Sequence, residues 1–276
     1  VVDVPDGPVL VILGRAPKAT PRGKRVSVHA TAPAALVETA PAESAPADAQ
    51  AFLAGNVQLV GPTNACTTKA KAVRIARVGY AHFGQVGIWR GEDQQLPKPS
   101  TDDLASQIHE LDPQGFWAIE LESRCVDEPL VAVPGNGPIT VYEPSELPVD
   151  ESPLAKRFAK LPAVLALSAE ERALVLSDLM LTRFSAGKHQ LVAAEAISGC
   201  SAPVVHAMFD VERGGKLGFA GDHSRLEHVE AVADLDGDGV PEIIARSAIG
   251  ADTWGITDFA GKPRLLLRLP YFDCPC

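Results

Sequence analysis

The chain has 276 residues and a net charge of −10, with 35 Asp and Glu against 25 Lys and Arg. That balance excludes a protein that tracks nucleic-acid phosphates, and the densest basic cluster, Arg22, Lys24 and Arg25, reads as a solvated loop. No stretch reaches the roughly 18 consecutive apolar residues of a membrane-spanning helix, and the length suits one large or two modest domains with real cores.

Val9-Leu10-Val11-Ile12-Leu13 and Arg25-Val26-Ser27-Val28-His29 have strand character, and the Pro, Lys and Gly between them predict a hairpin. Residues 31–50 are mostly Ala, Pro, Glu and Ser, with too little bulk to bury, and read as a flexible loop. A short helix interrupted by proline is the alternative. Residues 1–50 are therefore expected to be a hairpin followed by an Ala/Pro-rich loop.

Residues 51–143 read as a first β-rich lobe with one helix. Strands are expected at 57–60, 73–78 and 85–89. Ser100 can cap a helix whose Leu104, Ile108 and Leu111 share a face until Pro113 ends it. Then Trp117, Ile119 and Leu121 alternate with Glu120 and Glu122, the pattern of a half-buried strand with its glutamates in solvent.

An internal echo follows. Residues 117–125 align without a gap to 192–200, sharing Ala, Glu, Ser and Cys, and Pro129-Leu130-Val131-Ala132 echoes Pro203-Val204-Val205-His206. The repeat predicts two lobes on one plan. Residues 144–167 read as a linker with a short helix over 154–160. The second lobe, 168–276, begins with a helix from Ser168 to about Met180. Ser168 and Glu171 form its capping box, and Ala169, Ala173, Leu176 and Met180 line one face. Strands are expected near 188–197, 203–210, 216–219, 227–234, 241–247, 252–258 and 264–269. The fold class is mainly β, with a few short helices and antiparallel meanders in two similar lobes; α+β is the variant.

Within the second meander, Asp-Leu-Asp-Gly-Asp-Gly-Val-Pro-Glu at 234–242 puts carboxylates at positions 1, 3, 5 and 9 of a glycine-bearing loop. A hard cation needs several converging oxygens, and alternate residues of a curled backbone supply them. Asp234, Asp236, Asp238 and Glu242 are the candidate side-chain ligands of Ca²⁺, and Val240 offers its carbonyl. Gly239 permits the turn. Position 12, where an EF-hand has its bidentate Glu, is Ala245, and the flanks alternate like strands, so the loop joins two strands. It resembles the calcium loops of FG-GAP and VCBS-type repeats in bacterial and integrin-like extracellular proteins, where Asp-x-Asp-x-Asp-Gly-x-x-Asp/Glu runs into a strand. The resemblance covers about a dozen residues and implies the site, not a propeller. A solvated acidic turn is the plainer alternative.

Five cysteines, Cys66, Cys125, Cys200, Cys274 and Cys276, lack zinc-site spacing and read as disulfide candidates: Cys66 with Cys125, and Cys200 with either Cys274 or Cys276. A chain beginning at Val1 suggests a processed form. With the loop, this points to an exported protein of the cell envelope or exterior. Catalytic patterns are weak. His223, Glu227 and His228 have one residue too many for an inverted zincin motif, and no nucleophile elbow or phosphate-cradling loop occurs. Trp89, Trp117 and Trp254 suit a sugar-stacking face or, more simply, core and rim. The expectation is a calcium-binding protein with a structural, adhesion or assembly role, with a protein or glycan partner at the cell surface or a second copy of itself. The alternative is an exported hydrolase or glycan-acting enzyme whose site is assembled from distant residues.

Overall fold

The computed structural model describes residues 1–3, 7–16, 25–28, 34–40, 42–79, 89–90, 94–95, 114–149, 152–197, 203–211, 214, 216–220, 228–246 and 253–268. The fold is mainly β, with antiparallel sheets and short helices, in two compact units that divide between Asn136 and Gly137. Among the described residues no helix is long and apolar enough to cross a membrane.

The first unit contains β1 (Val2–Asp3), β2 (Val9–Arg15), β3 (Arg25–Val28), β4 (Ala34–Thr39), helix α1 (Ala47–Leu53), β5 (Asn56–Val60), β6 (Ala65–Gly79), the paired β7 (Trp89–Arg90) and β8 (Gln94–Gln95), β9 (Phe116–Leu121) and β10 (Val131–Pro134). Its main sheet has the order β1-β2-β9-β6-β4-β3, and the early part of the long β6 also pairs β5, which carries β10. All of β9 is buried. Trp117, Ile119 and Leu121 join Val57, Leu59, Val73 and Ile75 in a core that takes in Ala49 and Phe52 of α1. On the other face the Arg15 guanidinium lies 3.9 Å from the Phe116 ring centre. Glu120 on that face accepts from Lys71 Nζ and Arg74 Nε, each at 2.6 Å. The β6–β9 register shifts between Ala70 and Ala72, at the point from which Lys71 reaches Glu120. Cys66 on β6 is disulfide-bonded to Cys125, just past β9, with Cα atoms 5.9 Å apart. This is the pairing expected from the sequence.

The second unit contains β11 (Thr140–Val141), β12 (Glu143–Leu147), α2 (Pro153–Phe158), α3 (Pro162–Leu165), α4 (Ala169–Ser177), β13 (Leu179–Ala186), β14 (His189–Ile197), β15 (Val204–Asp210), β16 (Lys216–Ala220), β17 (His228–Asp234), β18 (Glu242–Arg246), β19 (Thr253–Thr257) and β20 (Pro263–Arg268). Two five-stranded sheets result, β12-β13-β14-β15-β16 and β11-β17-β18-β19-β20. Period-two alternation sorts β14 between two cores. Leu191 and Ala193 meet Val232, Ile243 and Ala245 of the other sheet, whereas Val192, Ala194 and Ala196 meet Phe158, Val164 and Val175 of the helices. A helix layer, a sheet and a second sheet are thus stacked. The chain passes from one sheet to the other at buried Tyr142, whose N–H donates to Val232 O at 2.9 Å.

Several expectations are corrected. Strands β2 and β3 form no hairpin, because β9, β6 and β4 lie between them, the first two coming from far along the chain. Part of the expected loop at 31–50 is strand β4 and the start of α1. The expected linker at 144–167 does hold its expected short helix, as α2, but it also forms edge strand β12 and α3. The helix capped by Ser168 and Glu171 stops at Ser177; Met180 lies on β13, and Val175 is the residue the helix buries, while Ala169 and Ala173 are exposed. Glu120, expected in solvent, is buried, and so is Glu195, its counterpart in the echo. The echo segments are both interior strands, but β9 sits between strands distant in sequence and β14 in a meander, so the two connect differently. The helix expected to begin at Ser100 lies outside the described residues.

Candidate metal centre

The loop at 234–242 joins β17 to β18, as expected, and its two ends are buried while its middle is exposed. Asp234 closes β17. Its Oδ1 accepts from Gly237 N at 2.8 Å and its Oδ2 from Gly239 N at 2.9 Å, which curls the backbone around the carboxylate. Both glycines have left-handed φ, 75° and 82°. Gly237 is constrained twice, because a Cβ there would meet Pro138 Cγ at 2.9 Å. Asp236 Oδ1 accepts from Asp238 N at 3.3 Å, and Asp238 Oδ1 from Val240 N at 2.7 Å. Glu242 opens β18, is 1% exposed, and accepts from Leu235 N at 2.9 Å through Oε2.

Each of Asp234, Asp236 and Glu242 brings one carboxylate oxygen into a group whose members all lie within 4.8 Å of one another. Calcium–oxygen bonds of roughly 2.3–2.6 Å allow two ligands to be about 5 Å apart, so the spacing fits a hard divalent cation, and an all-oxygen donor set has the matching chemistry. Asp238 is not in this group; it is exposed and turned to the Val240 N–H. Val240 exposes its side chain.

A residue that sequence reasoning missed completes the electrostatics. Arg264 Nη1, from β20, lies 3.2 Å from Asp236 Oδ2 and also donates to Glu242 Oε1. The loop therefore has a protein cation against two of its acids. Arg264 stands 22 residues from Glu242 and carries no local motif, and the one available signal was the need of clustered acids for a countercharge. Glu242 is pushed above the usual carboxylate range, first by burial and also by Asp236 and Asp238, against the downward pull of the Leu235 N–H and Arg264. Behind the loop, a cavity of about 50 Å³ is lined by residues that include Gly239, Pro241 and Phe259. His189 on its wall has Nδ1 2.7 Å from Tyr142 Oη, in hydrogen-bond contact, and Nε2 3.8 Å from Asp210.

Of the residues considered for catalysis, His223 and Glu227 lie outside the described residues, and His228 pairs elsewhere. Its Nδ1 is 3.3 Å from Glu195 Oε2, and Glu195 Oε1 accepts from Val229 N at 2.7 Å. His228 Nε2 is 3.7 Å from Glu230, which also meets Arg246. This raises the His228 pKa, chiefly through Glu195, against the effect of burial. Trp117 is core and Trp254 half-buried. Cys200, Cys274 and Cys276 lie outside the described residues.

No protein-family model, curated protein or solved structure matches the chain. The likeness to FG-GAP and VCBS-type loops thus rests on residues 234–242 alone.

Proposed function

We propose that this is an exported, calcium-stabilised β-rich protein that works by interaction, as a structural, adhesion or assembly component of the cell envelope or exterior. The observation that carries the reading is the convergence of Asp234, Asp236 and Glu242 at a strand-to-strand turn whose backbone is already curled onto Asp234. Those residues would hold the ion, with Asp238 and the Val240 carbonyl as the remaining expected ligands. The metal's part is structural: it neutralises acids that otherwise repel across the β17–β18 connection. The Cys66–Cys125 bond suits an oxidising compartment. An interaction role is supported by β20, an edge strand with Leu265 55% and Leu266 50% exposed. The partner is a protein or glycan at the cell surface, or another copy of the chain.

Thermal unfolding with excess calcium and with chelator tests the metal. Ligand linkage gives about 2.7 kcal/mol of added stability at a hundredfold excess over Kd. The midpoint is expected to rise with calcium in the native sequence and not in an Asp236→Ala, Asp238→Ala variant. An unchanged midpoint in the native sequence would make the loop an acidic turn and remove the main support for export.

A further inference from the structure

The helix layer of the second unit leaves one part of its sheet uncovered. Helices α2, α3 and α4 pack on Leu179, Leu181, Ala194 and Ala196, but towards the other end of the same face a cleft of about 420 Å³ remains between α2 and strands β12 to β14. Leu147, Leu154, Val192 and Val211 make it mainly apolar. Two cations, Arg157 and Arg183, also line it, and among the described residues no carboxylate does.

Arg183 is held in place by its strand neighbours. The register sets it between Ser145 and Val192, and its Nε donates to Ser145 Oγ at 3.2 Å. Its terminal Nη groups meet no acceptor among the described residues. Arg157, on α2, donates one Nη1 hydrogen bond to Gly214 O at 2.9 Å, with its guanidinium 5.8 Å from the Phe209 ring centre. Neither arginine has an acidic partner among the described residues, in a chain whose net charge is −10. The cleft of about 250 Å³ in the first unit differs, since its Lys71 is already paired with Glu120.

A concave, mostly apolar site with a few polar groups at fixed positions is the usual form of a small-molecule pocket. Guanidinium donors left over at such a site select a carboxylate, which they bind by charge-assisted hydrogen bonds. We propose that this cleft binds a small amphiphilic carboxylate. Its head group meets Arg183 and Arg157, and its apolar body lies on Leu147, Leu154, Val192 and Val211. The site is independent of the metal loop.

Octanoate and its neutral counterpart 1-octanol, titrated calorimetrically into the full chain, test this. Octanoate is expected to bind at one site per chain, and 1-octanol about tenfold or more weakly, as loss of a charged hydrogen-bond partner predicts. Arg183→Gln and Arg157→Gln should each weaken octanoate by a similar factor while leaving 1-octanol unchanged. Val211→Glu, a substitution at a residue 38% exposed, should weaken octanoate by adding a like charge at the rim. Arg157 is exposed, so its variant carries the test even where Arg183→Gln disturbs folding, and unfolding midpoints identify which variants are intact. The proposal is overturned if octanoate does not bind, if both compounds bind equally, or if intact arginine variants bind octanoate as the native chain does.

Discussion

Asp234 and Arg264 separate the two things an acidic loop needs, a scaffold and a countercharge. Asp234 accepts two backbone N–H groups, so its carboxylate shapes the turn whether or not a metal is bound. Asp234→Ala strands those donors and should cost about 1–3 kcal/mol in chelator, as for other partly buried groups left unsatisfied. Asp238→Ala, at an exposed position, should cost about 0.5 kcal/mol or less under the same conditions. Urea unfolding in chelator gives both values, and equal losses would sink the distinction. Arg264 supplies the countercharge to Glu242, whose side chain is 2% exposed. Arg264→Gln should destabilise the metal-free protein by about 1–3 kcal/mol. Calcium can replace the lost charge, so the calcium-induced rise in midpoint should be larger in Arg264→Gln than in the native chain. A smaller rise would instead make Arg264 a support for the metal-bound loop.

At the scale of elements, the interior strands β9 and β14 show why some of the fold was legible and some was not. The strands of the second unit fall within one or two residues of their expected limits from β14 to β20, because each is short and bounded by turn residues. The loop at 234–242 was legible for the same reason: its acidic residues and glycines are local. Pairing was not local in the first unit, where β2 and β3 are neighbours in sequence but not in the sheet. Glu120 and Glu195 defeated the alternation rule because a strand covered on both faces keeps its polar positions by finding partners elsewhere, Lys71 and Arg74 for one and His228 with the Val229 N–H for the other. The Glu195–His228 contact joins the two sheets of the second unit and carries a pH signature. Folding raises the His228 pKa, so the protonated pair adds stability below the unfolded value of about 6.5, and this contribution is lost as pH rises through the higher folded value. Glu195, Glu230 and Arg246 are the charged groups that set it. The stability difference between the native chain and His228→Gln, from urea unfolding across about pH 5.5 to 9, should be largest at the acidic end. A difference that does not vary with pH would remove His228 as the titrating partner.

At the scale of the molecule, each unit carries a different constraint on its sheet. In the first, the Cys66–Cys125 bond closes a loop of 59 residues' separation between β6 and the end of β9. Chain-entropy arguments put such a crosslink at about 4 kcal/mol. In the second, the β17–β18 connection depends on electrostatics at residues 234–242, where Arg264 and the proposed calcium ion act on the same acids. Hydrogen exchange can read both at once, because amide protection reports local stability. A Cys66→Ala, Cys125→Ala variant should exchange faster at β5, β6 and β9. The amides of β17 and β18 in that variant should still slow when calcium is added. Exchange at β5, β6 and β9 that matches the native chain would mean that the crosslink does not constrain the first sheet in solution. Calcium protection confined to β6 and β9 would place the ion in the first unit and overturn the assignment to Asp234, Asp236 and Glu242. Because the crosslink and the loop lie on different sheets, one experiment separates a failure of the disulfide from a failure of the metal site.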